Sequence, residues 1–207
     1  MASEPPRRGL LVDFGGVLTT DVFASFRAFC AEEGLRADAV RDRFMNDPLA
    51  RELLSDLETG KLSEEEFEPR FAAVLEVSRE RLIDRLFAGM RPDEAMLAAV
   101  RAAKHGGVRT GLISNSWGQG RYDRSSFPEL FDAWVISGEE GIRKPDPAIY
   151  ALGAERLGLE PSACVFVDDL PFNLKPALEL GMVTVHHRRA EETVPELERL
   201  LGVELTG

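Results

Sequence analysis

The chain has 207 residues, 44% of them hydrophobic and 29% charged, and carries a formal net charge of -11. That length fills one core plus an insertion and is short for two independent domains. The acidic balance weighs against nucleic acid as a partner, and it leaves any anionic ligand to be held by local groups rather than by the overall field.

Met1 to Arg8 reads as a short polar, proline-containing tail. No signal-peptide run follows it and no segment approaches membrane-spanning length, so a cytoplasmic location without a membrane partner is expected. The first strand is expected at Leu10–Val12, and it runs straight into Asp13 and the turn Phe14-Gly15-Gly16. Burying an ionised carboxylate without partners costs several kcal/mol. A carboxylate in such a place points to a metal, a nucleophile or both.

Residues from about Asp21 to Met90 contain no credible strand. Phe23, Phe26, Phe29 and Cys30 share one helical face, as do Phe67, Phe71, Val74 and Leu75, and then Leu82, Leu86 and Phe87. Gly34, Asn46-Asp47-Pro48 and Gly60 punctuate these helices, and Ser63-Glu-Glu-Glu66 reads as a capping box opening the third of them. The block 21–90 is therefore expected to be a helical insertion over the end of the first strand, between core segments 1–20 and 91–207. Its apolar faces suit either a core or a dimer surface, which leaves the oligomeric state open.

Four more apolar runs follow, at Val108–Ile113, Ala133–Ile136, Ala163–Val167 and Val183–His186, with helices expected at Glu94–Lys104, Pro147–Leu157 and Pro171–Glu179. Continuous apolar runs suit strands covered on both faces. Their alternation with helices predicts an α/β fold, a doubly wound, Rossmann-like parallel sheet. Cys30 and Cys164 lie far apart within apolar patterns and read as buried reduced thiols.

The residues with chemistry to offer gather at the strand ends, where ligands collect in sheets of this type. Ser114 and Asn115 follow the second strand; residues of these types hydrogen-bond anions and equally cap helices. Lys144 lies in the loop Arg143-Lys-Pro-Asp-Pro147. Asp168 and Asp169 close the fourth strand as adjacent like charges, which repel unless a cation sits with them. Hard oxygen ligands of this kind suit magnesium. Asn173 reads as a brace for that loop or a cap for the next helix.

In that order, Asp13, Ser114-Asn-Ser116, Lys144-Pro-Asp-Pro147 and Asp168-Asp169 with Asn173 resemble the four motifs of the haloacid dehalogenase-like hydrolase superfamily. The helical block corresponds to that family's cap. Ile113–Trp117 and Val165–Ala177 further resemble the phosphatase-like N-terminal domain of soluble epoxide hydrolases and its bacterial relatives. The resemblance implies a magnesium-dependent phosphatase for a small phosphorylated metabolite, with Asp13 as the nucleophile that becomes an aspartyl-phosphate. Ser114 and the N–H groups of Phe14, Gly15 and Asn115 would hold phosphoryl oxygens, and Lys144 would neutralise nucleophile and phosphate together. Mg2+ would be held by the Asp13 carboxylate, the Gly15 carbonyl and Asp169, with Asp168 behind them or in exchanged roles. Trp117 faces the cap as part of the substrate pocket, or is simply core.

One position departs from the family pattern. Its phosphatases usually carry Asp two residues after the nucleophile, and here that residue is Gly15. General acid–base help is typically worth about 10²–10⁴-fold, so good leaving groups are expected to be favoured. Asp21, Glu52 or water are candidate substitutes for the missing acid, and Thr19 and Thr20 are candidates to position a water. Two other readings are a phosphate-binding module with little or no turnover, and a dehalogenase. The dehalogenase branch does without magnesium, so the Asp168-Asp169 pair speaks against it.

Overall fold

The computed structural model describes residues 6–118, 120 and 122–205. Strand β1 (Gly9–Val12) is followed by five helices: α1 (Val22–Glu32), α2 (Ala39–Asn46), α3 (Pro48–Glu58), α4 (Glu64–Leu75) and α5 (Leu82–Leu86). Helix α6 (Glu94–His105) leads into β2 (Arg109–Ser114), then α7 (Phe127–Leu130), β3 (Ala133–Ile136), α8 (Ser137–Glu140) and α9 (Pro147–Arg156). The chain closes with β4 (Cys164–Asp168), α10 (Pro171–Glu179), β5 (Val183–His186) and α11 (Ala190–Leu201). The strands form one parallel sheet in the order β3-β2-β1-β4-β5.

Successive side chains on a strand point to opposite faces, and here both faces are covered. Leu10, Val12, Leu112 and Val167 pack with Val100 of α6 and Leu197 of α11. Leu11, Ile113 and Phe166 pack on the other side with Ile149 of α9 and Ala177 of α10. That double burial is why the strands read as unbroken apolar runs. The strand bounds lie within one residue of those expected.

Helices α1 to α5 enclose an apolar cluster of their own, rich in phenylalanine: Phe26, Phe29, Phe67 and Phe71 are buried there with Leu53, Leu57, Leu82 and Leu86. The capping box at Ser63 is present, with Ser63 and Glu66 exchanging hydrogen bonds, but it opens the fourth helix rather than the third. The reason is Asp47-Pro48: the Asp47 carboxylate accepts from the N–H groups of Leu49 and Ala50, and Pro48 sits in the first turn, so a new helix starts there.

Of the expected polar tail, Met1 to Pro5 lie outside the described residues. Arg7 and Arg8 are not a free tail, because their N–H groups donate to Leu200 and Ala163, and the Arg8 carbonyl accepts from Arg109. Cys30 and Cys164 are both buried free thiols. Among the described residues no helix is long and apolar enough to cross a membrane.

The strand order places the site. The chain leaves β1 toward β2 and β3, then adds β4 and β5 on the other side, so the crevice of a doubly wound sheet opens at the carboxyl ends of β1 and β4. Asp13 follows β1 and Asp168 ends β4, and the Asp13 N–H donates to the Val167 carbonyl at 2.9 Å.

Candidate active site

Lys144 organises the centre. Its side chain is buried, and its Nζ lies 2.7 Å from Asp13 Oδ1 and 2.7 Å from Asp168 Oδ2. Burial works against the ammonium, but the charges of Asp13 and Asp168 outweigh it and raise its pKa above the ordinary lysine value. Asn115 holds the lysine's backbone from both sides, accepting from Lys144 N–H at 2.8 Å and donating to the Lys144 carbonyl at 3.1 Å.

The two neighbouring aspartates have different environments. Asp168 is saturated: besides Lys144 it accepts from the Asn173 amide at 3.0 and 3.1 Å and from the Leu170 N–H at 2.9 Å. Asn173 thus braces the acid, one of the two roles expected of it. Asp169, by contrast, has its Oδ1 buried with no hydrogen-bond partner. Burial, followed by the charges of Asp13 and Asp168, pushes Asp169 up to about 8. Burial likewise raises Asp13 to about 6, against the attraction of Lys144 and with the charge of Asp168 adding to it.

Asp13, Asp168 and Asp169 each bring one oxygen to within 4.8 Å of the other two. An orphaned buried carboxylate oxygen beside two more carboxylates is costly by itself and suits a hard cation. With Asp168 committed to Lys144 and Asn173, Asp13 and Asp169 are the acids left to face such an ion. Gly16 makes room for Asp169: its φ is +75° and a Cβ there would lie 2.4 Å from Asp169 Oδ2.

The haloacid dehalogenase-like hydrolase family model matches residues 8–181, which takes in every strand from β1 to β4 and all the residues above. The chain belongs to that family. It is 33% identical over 135 residues to bifunctional epoxide hydrolase 2 of Sus scrofa, covering 62% of this chain and 24% of that protein. To glyceraldehyde 3-phosphate phosphatase of Methanopyrus kandleri it is 30% identical over 128 residues, covering 60% of this chain and 54% of the other. The chain thus spans less than two thirds of these curated relatives.

Among solved structures, a predicted HAD-like hydrolase from Porphyromonas gingivalis superposes with a TM-score of 0.69 at 25% identity, over 95% of this chain and 98% of the other. A HAD-family enzyme of Bacteroides thetaiotaomicron, solved with magnesium and inorganic phosphate, shares the fold at a TM-score of 0.65 and 21% identity, over 88% of this chain and 94% of the other.

The hydrolase's second motif carries a partner that the sequence did not reveal. Ser114 Oγ lies 2.9 Å from the hydroxyl of Tyr122, whose ring packs edge-on against Phe14 at 5.0 Å. Burial pushes the Tyr122 hydroxyl up to about 12, so it remains a neutral hydrogen-bonding group. Trp117 leaves the core and enters the cap cluster, with Phe87 at 4.9 Å and Phe44 at 5.6 Å.

The cap contributes Glu58, at the end of α3. This carboxylate is buried, 2.7 Å from Arg143 Nε and 3.4 Å from the Asn115 side-chain amide. It continues the buried stripe of Ala50, Leu53 and Leu57, so an acid on the apolar face of a helix was the signal for it. The substitutes weighed from the sequence lie elsewhere. Asp21 caps α1 and pairs with Arg27 at the surface, and Glu52 is exposed. The hydroxyls of Thr19 and Thr20 are committed to backbone, accepting from Gly16 N–H and Arg91 N–H respectively.

Proposed function

We propose that the protein is a magnesium-dependent phosphatase that works through an aspartyl-phosphate on Asp13. One observation carries this reading: Lys144 bridges Asp13 and Asp168, while Asp169 keeps an unpartnered buried oxygen beside them. A buried lysine alone would complete a structural ion pair. The orphaned acid has no structural use and matches a cation site.

Asp13 Oδ1 accepts from Phe14 N–H and from Lys144, each at 2.7 Å, which leaves Oδ2 without a hydrogen bond among the described residues. Lys144 keeps the carboxylate ionised and ready to attack phosphorus. Ser114 is held by Tyr122 to donate to a phosphoryl oxygen, and the N–H groups of Gly15 and Asn115 would join it; the Phe14 N–H, expected to do the same, instead donates to Asp13 Oδ1. Asp13, Asp169 and the Gly15 carbonyl would hold Mg2+, and Asp168 would stand behind them. When bound, the ion neutralises the charge of the transferring phosphoryl group. Trp117 stands where the second motif meets the cap and would form one wall of the substrate pocket.

The substrate class is a small phosphorylated metabolite. The relatives named as phosphatases support this; Gly15 itself offers no proton to a leaving group, so good leaving groups such as acyl and aryl phosphates are favoured wherever no other residue supplies one. The test is hydrolysis of acetyl phosphate, p-nitrophenyl phosphate and simple alkyl phosphates, with and without magnesium. Magnesium-dependent turnover that is fastest on acetyl phosphate is expected. Binding of phosphate and magnesium without turnover of any of the three would replace this reading with a non-catalytic one.

A further inference from the structure

We propose that Glu58, on the cap helix α3, is the proton donor and acceptor that position 15 lacks; this rests on the phosphatase reading above. In the first step Glu58 gives its proton to the leaving alkoxide as the P–O ester bond breaks and the bond from Asp13 to phosphorus forms. In the second step the Glu58 carboxylate takes a proton from water as that water's oxygen attacks phosphorus and the Asp13–phosphorus bond breaks. Alcohol and inorganic phosphate leave, and both carboxyl groups return to their starting states.

Position and fastening support the assignment. Glu58 touches Arg143, which precedes the catalytic lysine, and Asn115, which follows the phosphoryl-binding serine. Its other oxygen, Oε1, has no hydrogen bond among the described residues and is free to carry the proton. The end of α3 is pinned to the core, because Ser137 Oγ donates to the Glu58 carbonyl and accepts from Ser116 N–H. Contact is so close at this seam that a Cβ on Gly60 would lie 2.4 Å from the Gly138 carbonyl oxygen.

At position 15 itself the space is tight on one side. A Cβ there would meet Val22 Cγ2, at the start of the cap, at 3.0 Å. Where the family's phosphatases usually carry their acid this chain has no side chain, and α3 brings a carboxyl to the neighbouring motifs.

The charge environment suits both roles. Burial raises Glu58 to about 7, opposed by Arg143 and Lys144 and reinforced by Asp13. A group that must donate and then accept works best when its pKa lies near the working pH. After donation, Arg143 at 2.7 Å stabilises the carboxylate that remains.

The experiment compares kcat/KM, which covers events through phosphoryl transfer, for a simple alkyl phosphate and for acetyl phosphate in wild type and Glu58→Gln, with magnesium. The alkyl-to-acetyl ratio is expected to fall by about 10²-fold or more in the variant, because acetyl phosphate needs little protonation of its leaving group. Equal losses on both substrates, or an unchanged ratio, would overturn the proposal.

A wild-type pH profile gives a second readout that needs no variant. An alkaline limb is expected with the alkyl phosphate and not with acetyl phosphate, and identical limbs would count against Glu58. Asp13→Asn separates the two claims. If it abolishes turnover while Glu58→Gln leaves the ratio unchanged, the phosphatase reading stands and the role of Glu58 falls.

Discussion

Gly16 and Asp169 fit only because one of them has no side chain. A Cβ on Gly16 would lie 2.4 Å from Asp169 Oδ2, and Gly16 holds a φ of +75° that L side chains rarely adopt. Gly16→Ala is therefore expected to cost about 1–3 kcal/mol of stability and to push Asp169 away from the other acids. Magnesium titrations followed by calorimetry should show affinity at least tenfold weaker (~10-fold) than wild type, about 1.4 kcal/mol. Wild-type affinity in the variant would mean Asp169 does not hold the ion.

Lys144 is buried between two carboxylates, so its removal leaves them facing each other. Breaking a buried charge cluster from one side costs roughly 3–5 kcal/mol. Lys144→Met should lose about that much in denaturant unfolding and lose turnover as well. A variant of wild-type stability would show that the pair is not held as described.

The acids predict how stability follows pH. Asp13 is raised from 3.8 to about 6 and Asp169 from 3.8 to about 8, both mainly by burial. Between the ordinary carboxylate range and those values the folded protein holds more protons than the unfolded one, so stability falls as pH rises. The metal-free protein should melt several degrees lower at pH 8 than at pH 5. Magnesium binds the deprotonated acids, so its stabilising effect should grow over the same window. Melting curves at both pH values, with and without magnesium, check this; a metal-free protein that becomes more stable toward pH 8 would contradict it.

Tyr122 acts through Ser114. A hydrogen bond of this kind contributes about 0.5–1.5 kcal/mol, so Tyr122→Phe should lower kcat/KM by roughly 2- to 13-fold. The loss should be similar for acyl and alkyl phosphates, because the tyrosine positions the serine rather than moving a proton. A loss confined to alkyl phosphates would instead make Tyr122 a proton donor.

The core was legible because each strand buries both faces, so Leu10–Val12 and Val165–Val167 announced themselves as apolar runs ending in acid. Asp13, Ser114, Lys144 and Asp168-Asp169 could be found for the same reason, since each sits at or near the end of such a run or beside a proline-fixed loop. The different fates of Asp168 and Asp169 could not be read, because only the fold decides that Asn173 and Lys144 turn to one of two adjacent acids. Tyr122 and Glu58 reach the site from segments with no spacing relation to the motifs. Glu58 alone left a trace, as a carboxylate at the end of a buried helical stripe.

Hydrolysis of acetyl phosphate by wild type and Asp13→Asn, with and without magnesium, tests the central claim most directly. Turnover by wild type only with magnesium, and a loss of about 10³-fold or more in a variant that still unfolds cooperatively, is the predicted result. A folded Asp13→Asn protein that still hydrolyses acetyl phosphate at the wild-type rate would contradict the account.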